Sequence, residues 1–295
     1  MRETFMNLIF KSALMAALAA GAPFAYAKPV KPPVSREFPK AIEPSKIILV
    51  GDSTTAVIGG WGPSFCAYHV TSFAACVDLA RGGRSSRTYM QEKSWHLALK
   101  EAQVPGYRNV WVLIQFGHND QPGNSRSTEL AQEFPGYIRR YVDDTRAVGA
   151  TPILVTPLVR RVFENGRLVN DLEPWAQAVR QVAKATGAAL IDLNALSAAA
   201  AVELGPKQSE RFAQLPRSTA PAKDAPARAQ TEVNVQPTAT PRLSYDNTHL
   251  GEEGADYVAA IMARALADTI APMRPLLVVE RRPDRRPAAL EYRAR

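Results

Sequence analysis

KIILVGDSTT, residues 46–55, decides the fold. Ile47, Ile48, Leu49 and Val50 form an uninterrupted aliphatic run, the composition of a strand buried on both faces. The run stops at Gly51, which turns without steric cost, and the Asp52, Ser53 and Thr54 that follow are residue types that cap helix starts. A hydroxyl at a strand-to-helix turn sits at the carboxyl end of its strand, where open α/β sheets bind ligands. Backbone N–H groups of a following helix point to the same place and favour a negative oxygen. Taken alone, the stretch reads equally well as an ordinary capped βα turn.

Working outward, ACVDLA (75–80), VWVLIQF (110–116), TPILVT (151–156) and residues 189–193 read as four further strands. Helical stretches separate them: residues 94–102, 128–147 with a kink at Pro135-Gly136, 173–186, 194–204 and 251–269. Pro174 suits a first helical turn, Gly187 a helix end, and Asn165-Gly166 a hairpin turn. Strands alternating with helices imply a parallel sheet with right-handed crossovers. The expected fold is therefore α/β, a three-layer flavodoxin-like arrangement on a five-stranded parallel sheet. The P-loop and the dinucleotide glycine fingerprint are both absent, which argues against a nucleotide enzyme.

The ends and one internal stretch stand apart from this pattern. Basic Arg2 and Lys11, the apolar run SALMAALAA (12–20) and Ala25-Tyr26-Ala27 read as a signal peptide over residues 1–27, cut after Ala27. An uncleaved anchor is the alternative reading, although the run is short for a bilayer. Residues 28–45 form a Pro- and Lys-rich lead-in, 46–273 the main domain, 215–241 a Pro/Ala/Thr-rich flexible insertion, and 274–295 a basic tail. The expected product is exported, to the periplasm or the medium, with no stable membrane anchor. Export makes Cys66 and Cys76 candidates for one disulfide, with two buried thiols as the alternative. The net charge of +8 lies in the signal region, in residues 205–242 and in the tail, which leaves the remainder about neutral. That distribution gives little support to a nucleic-acid partner.

Three polar loops follow strands: Gly51-Asp52-Ser53, Gly82-Gly83-Arg84 and Gly117-His118-Asn119-Asp120. A fourth, Asp246–His249, precedes the last helix. Parallel strands bring such loops to one edge, so a hydroxyl, a glycine N–H, an asparagine amide and an Asp/His pair meet there. Ester hydrolysis needs these parts. A serine hydroxyl needs an adjacent base, a histidine can take and return its proton, a carboxylate fixes the histidine tautomer, and fixed donors receive the oxyanion.

The four pieces GDST (51–54), GGRSSRT (82–88), FGHND (116–120) and DNTH (246–249) resemble the SGNH (GDSL-like) hydrolases, and more narrowly the rhamnogalacturonan acetylesterases of carbohydrate esterase family 12. The resemblance implies Ser53 as nucleophile, His249 as base and Asp246 as its orienter. It also implies an oxyanion hole from the N–H groups of Ser53 and Gly83 and the amide of Asn119. It implies an exported serine esterase that deacetylates a plant cell-wall polysaccharide, with no cofactor or metal, acting as a monomer. An acetylesterase for xylan or another envelope glycan would use the same chemistry, and a catalytically idle carbohydrate-binding protein would share the fold.

His69, His96 and His118 compete with His249. The first two lie away from strand ends, and His118 reads as a loop-shaping hydrogen bonder. Asp120 competes with Asp246, whose spacing to His249 favours it. Arg84 and Arg87 read either as loop braces or as contacts for a uronate carboxylate. Trp61 reads as a core aromatic or a sugar-stacking surface.

Overall fold

A computed structural model describes residues 43–214 and 246–280. The signal peptide, most of the lead-in, the 215–241 insertion and residues 281–295 of the tail lie outside the described residues.

The quoted run becomes β1 (Ser45–Gly51), buried throughout. It is the second strand of a five-stranded parallel sheet with β2 (Ala74–Asp78), β3 (Val110–Gln115), β4 (Thr151–Val155) and β7 (Ala189–Ile191), in the order β2-β1-β3-β4-β7. Alternation along β1 splits its side chains between two cores. Ile47 and Leu49 pack with Trp61, Phe65 and the apolar stripe of α7 (Glu252–Thr269). Ile48 and Val50 pack on the other face with α3 (Ser94–Ala102), α4 (Glu133–Ala147) and α5 (Glu173–Thr186). Both faces are covered, so the strands read as continuous apolar runs and not as an apolar/polar alternation. The remaining elements are α1 (Gly62–Ser64), α2 (Ser86–Gln91), the hairpin strands β5 (Phe163–Glu164) and β6 (Arg167–Leu168) about Asn165-Gly166, and α6 (Leu193–Ser209), which bends at Gly205.

Four expectations need correction. Asp52–Thr54 open no regular helix: the chain turns tightly through residues 52–60 and reaches only α1 and one π-helical turn, Phe65–His69. Gly51 is demanded here by close approach, since a Cβ would lie 2.7 Å from the Gln115 carbonyl oxygen. Second, α4 starts at Glu133 and not at 128, and Pro135 falls in its first turn, where a missing N–H costs nothing and no kink results. Third, the main domain does not end at residue 273. Residues 271–276 form a 3₁₀ turn, and Thr71 N–H and Val278 N–H bond to Leu276 O and His69 O at 2.9 Å each. Fourth, Lys46 is no surface residue. Its ammonium is wholly buried, 2.6 Å from Glu101 Oε1 and 4.0 Å over the centre of the Tyr107 ring.

Cys66 and Cys76 are bonded and tie the π-helical turn to β2. Opening a short loop of this kind is expected to lower stability by roughly 2–3 kcal/mol. Paired Cys66→Ala and Cys76→Ala substitutions in a urea titration measure it; an unchanged midpoint would show the bond to be idle.

Among the described residues no helix is long and apolar enough to cross a membrane, and no group of three or more His, Cys, Asp or Glu side chains is placed to hold a metal ion.

Candidate active site

The loops at the carboxyl edge of β1, β2 and β3 meet the segment before α7 in one cleft. Its walls include Ser53, His118, Asn119, Arg126, Arg160 and His249.

Ser53 sits on the tight turn after β1. Asp52 builds that turn: its Oδ1 accepts the Thr54 N–H at 2.9 Å and the Thr54 hydroxyl at 2.8 Å. Gln115, the last residue of β3, donates from Nε2 to Thr54 Oγ1 at 2.7 Å and accepts from Trp61 Nε1 at 2.8 Å. Burial works against the charge of Asp52, but His118, with Nδ1 at 3.5 Å, and the two Thr54 bonds outweigh it and hold the carboxyl below the usual carboxylate range. This chain fixes the backbone on which the Ser53 hydroxyl is presented.

His249 approaches from the far side of the cleft. Its Nε2 lies 2.8 Å from Ser53 Oγ, and its Nδ1 lies 2.9 Å from Asp246 Oδ2. Asp246 Oδ1 accepts the backbone N–H groups of Thr248 and His249 at 2.7 and 2.6 Å. Burial pushes the Asp246 carboxyl up, but the bonds and charge from His249 and these N–H groups win and hold it low. Gly59 passes against the imidazole: a Cβ there would lie 3.0 Å from His249 Cδ2, and its φ of +86° is costly for other residues. Hydroxyl, imidazole and carboxylate thus form one hydrogen-bonded line, the arrangement that moves a proton off a serine and back.

The third side is the Gly82-Gly83 turn. Leu79 and Arg81 N–H groups bond to Leu49 O and Gly51 O at 2.9 Å each, which lays this loop along the end of β1. A Cβ at Gly82 would lie 3.6 Å from Ser53 Cβ. Asn119 lines the cleft and gives one amide N–H to Arg84 O at 3.0 Å, with a second N–H on the same nitrogen. Asp120 links the two loops from beneath: it accepts the Ser86 hydroxyl at 2.6 Å, the Ser86 N–H at 3.1 Å and the Thr128 hydroxyl at 3.0 Å. Burial pushes its carboxyl up to about 6, partly offset by those bonds. It is a strut, far from Nδ1 of His249, and not the imidazole's partner.

The candidate substrate contacts fall elsewhere than expected. Trp61 is fully buried, so no sugar ring reaches it. Arg84 bonds Glu92 Oε2 at 3.0 Å and Gly82 O at 2.8 Å, and Arg87 donates to Ser125 O and Ser127 O at 2.9 Å each. Both arginines brace loops and neither lines the cleft. The arginines that do are Arg126 and Arg160. Arg160 is bound to the Asp171 carboxylate, to Gln121 Oε1 at 2.6 Å and to Thr248 Oγ1 at 3.3 Å.

Arg161 is a further residue that sequence reading passed over. Its buried guanidinium donates to His249 O at 2.8 Å, Asp246 O at 3.2 Å and Thr248 O at 3.3 Å, and its own N–H bonds Asn247 O at 2.9 Å. It clasps the whole 246–249 segment. The signal was there: two adjacent arginines follow a strand end, TPILVTPLVRR. Arg161→Met is expected to lower kcat about tenfold or more, because sub-ångström misplacement of a base is costly. Arg161→Lys should restore part of it, and equal kcat in wild type and Arg161→Met would refute the clasp.

Comparison with known proteins gives the same picture. A model of the GDSL-like lipase/acylhydrolase family matches residues 49–257. "Probable rhamnogalacturonan acetylesterase YesY" of Bacillus subtilis (strain 168) is 28% identical over 243 residues, covering 80% of this chain and 98% of its own. Rhamnogalacturonan acetylesterase RhgT of the same organism is 30% identical over 247 residues, covering 80% and 95%. Among solved structures, the Bacillus subtilis protein YxiM superposes with a TM-score of 0.57 at 22% identity over 77% of this chain and 57% of that longer one, a likeness of fold.

Proposed function

The chain belongs to the GDSL-like lipase/acylhydrolase family and is a carboxylic ester hydrolase, and from that premise we propose that it is an exported serine esterase that removes acetyl groups from a plant cell-wall polysaccharide of the rhamnogalacturonan type. The observation that carries the reading is the line Ser53 Oγ, His249 Nε2, His249 Nδ1, Asp246 Oδ2, with both polar contacts under 3 Å at 2.8 and 2.9 Å.

In this reading His249 Nε2 takes the Ser53 proton as Oγ attacks the acetyl carbonyl carbon. The oxyanion forms toward the N–H groups of Ser53 and Gly83 and the Asn119 amide, donors already in place before reaction. Collapse expels the sugar hydroxyl, which takes its proton from His249, and leaves acetyl on Ser53. A water then gives its proton to His249 and attacks the acetyl carbon. The second collapse releases acetate and returns the proton to Ser53 Oγ. Chain residues and water handle every proton and electron pair of the cycle.

The names of the two relatives above support the acetylated pectic substrate. The signal-like first 27 residues support export, as does a bonded cysteine pair, which persists in oxidising compartments. Acetate release from acetylated rhamnogalacturonan, xylan and peptidoglycan, compared at equal acetyl content, tests the proposal. Release should be fastest from rhamnogalacturonan. Faster release from xylan would overturn the substrate, and no release from any of them, nor from 4-nitrophenyl acetate, would overturn the esterase reading.

A further inference from the structure

We infer that the cleft reads a carboxylate on the same sugar ring that carries the acetyl group, and that Arg126 is the residue that reads it. This rests on the esterase reading above and adds the charge of the acyl acceptor.

The first observation is the character of the walls. Two arginines and two imidazoles, Arg126, Arg160, His118 and His249, line the cleft, and no Asp or Glu does. The carboxylates that accompany them lie behind: Asp171 on Arg160, Asp52 beside His118, Asp246 on His249. A cleft walled by cations with its carboxylates withdrawn favours an anionic ligand.

The second is position. A Cβ on Gly83 would lie 3.7 Å from Arg126 Nη1, so the guanidinium stands beside the glycine whose N–H faces the reacting carbonyl. A group bound there lies within the span of one pyranose ring from Ser53. A guanidinium fork matches a carboxylate in two parallel hydrogen bonds.

The third is rigidity. Asn124 Oδ1 accepts the Arg126 N–H at 2.8 Å, and Asn124 Nδ2 donates to Gln121 O at 2.9 Å. Arg87 grips the same loop on both sides of Arg126, at Ser125 O and Ser127 O. The arginine expected to touch the substrate instead holds the loop that carries Arg126. A pre-organised side chain loses less freedom on binding.

The test compares acetylated polygalacturonate with the same polymer after methyl esterification of its carboxyls, reading acetate release as kcat/KM. The wild type should prefer the free carboxylate about tenfold or more, the usual effect of a charge-assisted pair, and added salt should shrink the preference. Arg126→Gln should bring the ratio close to one, and Arg126→Lys should leave part of it through charge alone. A wild-type ratio near one would overturn the inference. So would an Arg126→Gln ratio equal to the wild type's with both rates reduced alike, since that would place Arg126 on the oxyanion or in the fold. Turnover of 4-nitrophenyl acetate by the wild type separates the two levels: its presence keeps the esterase standing when the ratio fails, and its absence sinks both.

Discussion

Ser53→Ala is expected to lower kcat on any acetyl ester by at least ~10⁴-fold, the order seen when a serine nucleophile is removed and only the remaining electrostatics of a site act. The loss should come without loss of fold. The Ser53 hydroxyl bonds His249, whereas the turn that carries it is held by Asp52, Thr54, Gln115 and Trp61. Alanine needs no other backbone conformation and removes one oxygen from a cleft already open to water. Thermal unfolding of the variant should therefore match wild type within a few degrees, and substrate should still bind. The measurement is the burst and steady-state release of 4-nitrophenol, with the melting curve beside it. A folded variant that keeps more than a hundredth of the wild-type rate would remove Ser53 from the nucleophile's role and direct attention to Thr54 or Thr55, whose hydroxyls face inward among buried neighbours.

The features legible in the sequence were those set by local pattern. Four aliphatic residues before Gly51 define β1, and Glu173 to Gly187 carry their own first-turn proline and terminal glycine. Chemistry was legible where spacing is short. Asp246 and His249 are three residues apart, and one turn brings carboxylate to imidazole. What was illegible depends on partners distant in the chain. Trp61 looks like any aromatic until Gln115, 54 residues on, accepts its N–H. Arg84 and Arg87 look like substrate contacts because they sit beside the oxyanion glycine, but Glu92, Ser125 and Ser127 claim them. Arg161 acts on residues more than 80 positions away, and the buried Lys46 finds its partner 55 positions on. A charged side chain in a sequence carries no mark of whether water, a carboxylate or a row of carbonyls will receive it. The order past residue 273 escaped for a related reason. Composition there is basic and Pro-rich, yet Met273 and Leu277 are buried against the disulfide-bearing face.

Asp246→Asn tests the inner end of the catalytic line, where the expected loss is roughly 10³–10⁴-fold in kcat; the upper figure is that known for the corresponding substitution in a serine protease. The argument is one of hydrogen-bond direction. In the wild type one carboxylate oxygen accepts two backbone N–H groups, from Thr248 and His249, and the other accepts Nδ1–H of His249. An amide has only one oxygen. Turned toward the backbone it keeps two bonds and presents its NH₂ to Nδ1; turned the other way it keeps one and sets its NH₂ against two donors. The first orientation wins, and Nδ1 must then accept. The imidazole proton moves to Nε2, where it faces Ser53 Oγ at the wild-type contact of 2.8 Å. A histidine that donates to the serine cannot take its proton, so geometry survives and catalysis does not. The pH profile separates this from a loss of fold. In the wild type the Asp246 carboxyl is held below its ordinary 3.8, with burial opposing and the His249 bonds prevailing. Its stabilising charge is thus fully present above the unfolded value and is lost only as pH falls through the lower folded one. Between pH 5 and 8 Asp246 does not titrate, and the acid limb of activity belongs to His249. The variant should melt close to wild type at pH 7 yet stay slow across that whole range. Activity within tenfold of wild type at neutral pH would show that Asp246 does not set the tautomer of His249.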